Sequence, residues 1–339
     1  MNFDEAIDRK NTSSLKWDKF KGKDVLPLWV ADMDFRASDE IVKVLHDRID
    51  HGIMGYTNVP EELIQIVQDR LQKLYNWNTE PEWQVWMPGM VCGLNVACRA
   101  VGEEGDDIIT GTPVYPPFLS APGNFNRRLN RVPLVNNDGI WRYDLELFKK
   151  KMTAKTGLFL LCNPHNPVGR VFTKSELTEL TDICLANDTV ICSDEIHCEL
   201  VLSEDLPHIP TATLSEAVED KTITLMAPSK TFNIPGFGCT FAIIKNTELR
   251  NKFKRSMAGI VPDPAFLGYD ATIAAFRDSQ QWHSDLLAYL RGNRDYLAAE
   301  IEKIKGISMT KLEATYLAWL DVRELNLDNP CLHFESHGV

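Results

Sequence analysis

Short β-branched, apolar runs that end abruptly in polar segments constrain the fold of this chain more than any other feature. Thr189-Val190-Ile191-Cys192 leads into Ser193-Asp194-Glu195-Ile196-His197, and Lys221-Thr222-Ile223-Thr224-Leu225-Met226 leads into Ala227-Pro228-Ser229-Lys230-Thr231-Phe232-Asn233. Both runs read as buried strands. Asp194 and Lys230 then stand at strand ends, 36 residues apart. In open α/β sheets ligands sit outside the carboxyl ends of the strands, so an acid and an amine delivered there by different strands can face one bound molecule. A third run, Gly157 to Cys162, enters Asn163-Pro164-His165-Asn166-Pro167-Val168-Gly169. That loop is rich in turn residues and would fix the Asn166 amide at the same edge.

The rest of the chain continues the alternation of strand and helix that characterises βαβ units. Further strands are expected at Asp107 to Thr110, Arg131 to Val135 and Cys239 to Ile244. Helices are expected at Asp39 to Asp50, Pro60 to Tyr75, Thr173 to Ala186, Thr247 to Met257, Ala265 to Phe276 and Trp282 to Ile304, and Tyr316 to Val322 reads as a late strand. Glu176 and Glu179 place acids in the first turns of the Thr173 helix, where the helix dipole favours them. No repeat, low-complexity tract or flexible linker interrupts the pattern.

Composition excludes several classes. A net charge of −12 over 339 residues, without a basic cluster, argues against a nucleic-acid surface. Met1-Asn2-Phe3-Asp4-Glu5 lacks the charged start and apolar core of a signal peptide, and no apolar run reaches membrane-spanning length, so a cytoplasmic protein is expected. The eight cysteines include no Cys-x-x-Cys pair and several lie in apolar strands; they read as reduced core residues rather than disulfides or metal ligands.

The order of an Asn-Pro loop, Asp-x-x-His and Ser-Lys resembles that of fold-type I pyridoxal-phosphate enzymes, the aminotransferase class I/II superfamily. Trp29-Val30-Ala31-Asp32-Met33-Asp34-Phe35, Thr112 to Phe118, Ser193 to His197 and Pro228 to Gly236 look more specifically like the aminotransferase-like C–S β-lyases, often called cystathionine β-lyases. The resemblance implies an α/β fold whose large domain, residues 46–285, holds a mostly parallel seven-stranded-type sheet between helices. Residues 1–45 and 286–339 would form a smaller α/β domain.

By residue type alone, Asp194 reads equally as a helix cap, His197 as a satisfied core residue and Tyr115 as a loop-packing aromatic. The resemblance gives them roles toward pyridoxal 5'-phosphate. Lys230 would bind the aldehyde and later take the substrate's Cα proton, a burial-depressed pKa making it a usable base. Asp194 would hold the proton on the ring nitrogen, Asn166 would donate to the phenolate oxygen, His197 occupies the place of a tyrosine in many relatives, and Tyr115 would stack on the ring. The phosphate would meet the helix start at Pro88 to Leu94, with the Val91 and Cys92 amides, the Ser229 hydroxyl, and Tyr56 from a neighbouring subunit of a homodimer.

Two departures stand out. Gly238 occupies a position where many aminotransferases carry arginine. No arginine follows Arg323, itself matched to a structural position, so the family's C-terminal arginine for the substrate carboxylate has no counterpart and the chain reads as shortened, with substrate handling impaired. The implied reaction is α,β-elimination of a sulfur amino acid to a thiol, pyruvate and ammonia, cystathionine giving homocysteine. Transamination and a non-enzymatic, cofactor-bearing regulatory role remain the alternatives, because fold alone does not separate them.

Overall fold

In the computed structural model, which describes residues 2–339, eight strands form the central sheet. They are β1 (Gln84–Met87), β2 (Asp107–Thr112), β3 (Arg128–Asn137), β4 (Ile140–Tyr143), β5 (Thr156–Cys162), β6 (Val190–Asp194), β7 (Thr222–Met226) and β8 (Thr240–Ile243). Their order across the sheet is β1-β8-β7-β6-β5-β2-β3-β4. The five central strands β7, β6, β5, β2 and β3 run parallel, while β4, β8 and β1 add antiparallel pairings toward the two edges.

The sheet therefore has one strand more than the seven-stranded type expected. The additional pairing is a hairpin: β3 turns through Asp138 and Gly139 into β4, with Asn137 opposite Ile140. Both turn residues have positive φ, 52° and 80°, the geometry that suits a two-residue Asp-Gly connection.

Side chains along the central strands alternate between two cores, which explains why their sequences are apolar without alternation. From β5, Leu158 and Leu160 pack with Leu94 and Cys98 of the helix Met90–Ala100, whereas Phe159 and Leu161 pack with Leu177 and Leu180 of the helix Lys174–Ala186. The second of these helices starts with a capping box between Thr173 and Glu176. A third core joins the β1–β8 side of the sheet to the helices Asp39–His51, Glu61–Tyr75, Phe266–Asp278 and Gln280–Ile301, and it includes Phe3 and Met33 of the amino-terminal segment. The last of these helices runs unbroken past positions 285 and 286.

Two expectations change. Of Tyr316 to Val322 only Leu320–Asp321 is a strand, paired with Ser308–Met309. Thr315 turns at φ 70°, and the Tyr316 hydroxyl donates inward to the Ala31 carbonyl, which draws that residue away from any ladder. All eight cysteines are free and six are buried, but Cys92 is half-buried and Cys331 exposed on the helix Pro330–Ser336, so neither of these two is a core residue. Among the described residues no helix is long and apolar enough to cross a membrane.

Candidate active site

A cavity of about 310 Å³ opens at the carboxyl ends of β5, β6 and β7. Its walls carry Val91, Cys92, Tyr115, Asn166, Asp194, His197, Ser229 and Lys230, eight of the nine residues singled out from the sequence. A larger cleft of about 610 Å³ beside Asp138, Arg294 and Lys311 shares no residue with these strand ends.

Backbone pairing sets the geometry. Cys162 at the end of β5 lies opposite Asp194 at the end of β6, and the Asn163 N–H donates to the Asp194 carbonyl at 2.9 Å. The Tyr115 N–H donates to the Asn166 carbonyl at 3.2 Å, which joins the loops after β2 and β5 across the cavity. Asp194 is 3% exposed, and its Oδ1 accepts from the Ile196 N–H at 3.1 Å. The next residue, Glu195, turns the other way into a polar cluster: Oε1 accepts from Ser193 Oγ at 2.8 Å and from the Thr211 N–H at 2.9 Å, and Oε2 meets His208 Nε2 at 2.8 Å.

Burial shifts the site's titrating groups. The Asp194 carboxyl is pushed up to about 7, chiefly by desolvation, with the Ile196 N–H opposing and Glu195 adding to the rise. His197 is pushed down to about 3, again by burial, so it is neutral near pH 7 and its Nδ1 is buried without a hydrogen-bond partner. The Lys230 ammonium is lowered by burial, against the pull of Asp32 and Asp194. Burial, followed by the Asp194 charge, raises Tyr115.

The helix Met90–Ala100 begins at the cavity with no side-chain cap, so its first N–H groups are unclaimed by its N-cap, Gly89. It seats tightly on the sheet because Gly93 has no side chain; a Cβ there would lie 3.0 Å from Leu225 Cδ1 and from Met87 Sδ. Gly238 is equally constrained. It has φ 54°, and a Cβ would come within 2.5 Å of the Pro88 carbonyl oxygen, so an arginine at this position would require the backbone to move.

Tyr56 is the one singled-out residue outside the cavity. It is fully exposed in an irregular segment beside exposed Ile53 and Met54. Arg323 pairs with Asp321 at the surface, away from the cavity.

Sequence reasoning missed three contributors. The Lys230 amine donates to the Ala31 carbonyl, the Tyr316 hydroxyl donates to the same oxygen at 3.0 Å, and Asp32 lies close enough to act on the Lys230 charge. The block from Trp29 to Phe35 carried a signal for the first and third; nothing local marked Tyr316.

A mostly parallel sheet that presents a lysine, an acid and an asparagine around one cavity at its strand ends defines an α/β enzyme of the aminotransferase type. The family model described as aminotransferase class I and II matches residues 23–331, and the chain belongs to that family. It is 38% identical to the cystathionine beta-lyase PatB of Bacillus subtilis (strain 168) over 340 residues, 97% of this chain and 87% of that protein. Among solved structures, OvoB matches with a TM-score of 0.97 and 43% identity, covering 100% of this chain and 89% of that one. Cystalysin from Treponema denticola, whose structure contains pyridoxal 5'-phosphate, matches at 0.93 and 34%, covering 97% and 86%.

The cavity suits such a group. A fully buried carboxyl that titrates near neutrality and an orphaned, neutral imidazole nitrogen are costly as they stand. A ring that brings a protonated nitrogen to Asp194 and a polar oxygen within reach of His197 would satisfy both.

Proposed function

We propose that this chain is a pyridoxal-phosphate-dependent carbon–sulfur lyase that removes the thiol of a sulfur amino acid by α,β-elimination, giving thiol, pyruvate and ammonia. The observation that carries this reading is the convergence of Lys230, Asp194 and Asn166 on one cavity, in a chain whose relatives include named cystathionine β-lyases. When bound, pyridoxal phosphate supplies an electron sink for the pair left at Cα.

The chain's own residues do the rest. Lys230 would bind the aldehyde and, once freed by the substrate's amine, take the Cα proton; burial lowers its pKa, which favours the neutral amine that a base requires. Asp194 would hold a proton on the ring nitrogen, and the Asn166 amide and His197 would hold the ring's oxygen side. Tyr115, which lines the cavity, would stack on the ring. The first turn of the helix Met90–Ala100, through the Val91 and Cys92 N–H groups and with the Ser229 hydroxyl, would hold the phosphate. With the proton on Lys230, the Cα electron pair is free to expel a thiolate from Cβ.

Cystathionine is the proposed substrate and homocysteine its thiol product, which suits a step in methionine synthesis. The exposed apolar run of Ile53, Met54 and Tyr56 supports a homodimer in which Tyr56 reaches a neighbouring copy's phosphate site. Six buried free cysteines suit a reducing, cytoplasmic setting. Residues 46–285 act as the cofactor-binding body and 1–45 with 286–339 as the smaller one.

The test is a pair of absorbance spectra with added pyridoxal phosphate, before and after cystathionine, with pyruvate and thiol assayed together. Equal pyruvate and thiol, and loss of both the cofactor band and the products in Lys230→Ala, are expected. A keto acid that retains the sulfur, with no free thiol, would replace elimination by transamination.

A further inference from the structure

Around the Ala31 carbonyl the structure joins Lys230 to Tyr316, Asn233 and Asp32, three residues that the reaction described above leaves without a task. The Lys230 amine donates to this oxygen across 199 positions of sequence. The Tyr316 hydroxyl donates to it as well, at 3.0 Å, so both lone pairs of the carbonyl are engaged and its direction is set. Asn233, three residues beyond the lysine, grips the same backbone: its Oδ1 accepts from the Met33 N–H at 2.9 Å, and its Nδ2 donates to the Met33 carbonyl at 3.0 Å and the Phe35 carbonyl at 2.7 Å. The loop that carries the lysine and the segment that receives its amine are thereby tied together.

Asp32 lies next in that segment. Its Oδ2 accepts from Arg9 at 2.8 Å, while its Oδ1 is buried without a hydrogen-bond partner, with the Lys16 ammonium 3.9 Å away. Four titrating groups bear on the Lys230 amine: Asp32 and Asp194 act on its charge from beyond ion-pair distance, neutral His197 follows β6, and the Tyr316 phenol shares the Ala31 oxygen. Arg9 and Lys16 stand behind Asp32.

We propose that the Ala31 carbonyl and the Asp32 carboxylate form a seat for the free Lys230 side chain in its proton-carrying state, with Asp32, Tyr316 and Asn233 as positioning residues that act through the lysine. This rests on the reading of Lys230 as the amine that binds the cofactor and serves as base. In that role the amine leaves the aldehyde, then uses its lone pair to form an N–H bond with the Cα proton while the C–H electron pair stays on the substrate. The resulting ammonium sits in a largely buried pocket and needs an acceptor and a counter-charge at once. The seat supplies the acceptor by direct contact with the Ala31 carbonyl and the counter-charge from Asp32 at longer range.

The experiment uses the cofactor-free protein and follows the rate at which pyridoxal phosphate adds to it across pH, because only the neutral amine attacks the aldehyde. The midpoint of that profile reports how tightly the lysine holds its proton. Asp32→Asn removes the counter-charge and lowers the midpoint by about one pH unit, and Asp32→Glu restores most of it. Arg9→Met strips a cation from Asp32 and moves the midpoint the opposite way, upward by a few tenths of a unit, roughly the size of a more distant charge. A segment that merely loosened would shift both variants in one direction. An unchanged midpoint in Asp32→Asn, or shifts of the same sign in Asp32→Asn and Arg9→Met, overturns the proposal. Borohydride trapping and peptide mapping of the unaltered protein place the adduct; an adduct on another lysine would overturn the reading of Lys230 itself and the seat with it.

Discussion

Two regions meet at Lys230 and are held in place by different physics. The strand ends of β5, β6 and β7 are set by parallel backbone ladders whose side chains are buried on both faces, so Asn166, Asp194 and Lys230 are carried to one edge by register. The amino-terminal segment, residues 2–38, has one short helix, Leu15–Asp18, and no strand. Side chains hold it: Arg9 reaches Asp32 and Asp34, each at 2.8 Å, Lys16 reaches Asp34 at 2.6 Å, and Asn233 supplies three hydrogen bonds. A ladder tolerates the loss of any single side chain's polar contact, whereas a clamp made of a few polar groups does not. The sheet thus fixes where the cavity lies, and the clamp fixes the lysine's resting environment.

Changes in the ladder-built region have the largest expected effects. Asp194→Asn removes the proposed partner of the ring nitrogen and is expected to lower turnover on the order of a hundredfold. The same change has the opposite effect on the cofactor-free protein. The folded Asp194 titrates at about 7 against an ordinary 3.8, so its contribution to folding stability is full below about pH 4 and lost as pH rises through about 7. Melting curves should therefore show Asp194→Asn gaining stability over the parent at pH 8 but not at pH 4. Equal differences at the two pH values would mean that burial does not penalise this charge.

Gly238→Arg comes next. The clash of its Cβ with the Pro88 carbonyl, at a φ of 54°, costs about 1–3 kcal/mol and displaces the start of the helix Met90–Ala100. Weaker pyridoxal phosphate binding in a titration is the expected result, although a cation has been added; tighter binding would show that charge outweighs the strain.

Asn233→Gly sharpens the contrast from the clamp side. Asn233 has φ 55°, which glycine also adopts readily, so the substitution removes three hydrogen bonds with little backbone strain. A stability loss of about 1–3 kcal/mol is expected, with proteolytic nicking confined to the amino-terminal segment. Global protease sensitivity instead would show that the clamp and the sheet unfold as one unit.

Arg9→Met has the smallest expected effect. Its two ion pairs are partly solvated, with side-chain exposures of 22% for Arg9, 22% for Asp32 and 36% for Asp34, and the loss should be about 0.5–1 kcal/mol at low salt. Added salt should shrink the difference between variant and parent.

Much of the sheet was readable because its strands announce themselves locally. Six of the seven expected strands and all six expected helices occur with ends shifted by a few residues at most, while of the seventh strand only Leu320–Asp321 forms. The β4 hairpin carried a local sign too, in Asn137-Asp138-Gly139, whose Asp-Gly pair suits the two positive-φ turn positions. β1 is only four residues long, too short for a periodic signal, and it pairs with β8, which lies far along the chain. Eight residues that line the cavity could be named in advance because each lies at or soon after a strand end or opens a helix. Tyr316 could not: it stands where an apolar run suggests a strand, and its partner oxygen on Ala31 is 285 positions away.

The sequence by itself determined which segments become buried strands and which polar residues stand at their ends, because burial on both faces selects β-branched and apolar runs that contacts along a few residues can specify. The tertiary structure alone decided that the Ala31 carbonyl would face Lys230, that Asp194 would titrate near 7, and that position 238 would have no room for a side chain. These outcomes depend on desolvation and close approach between segments remote in the chain, and no local pattern encodes either.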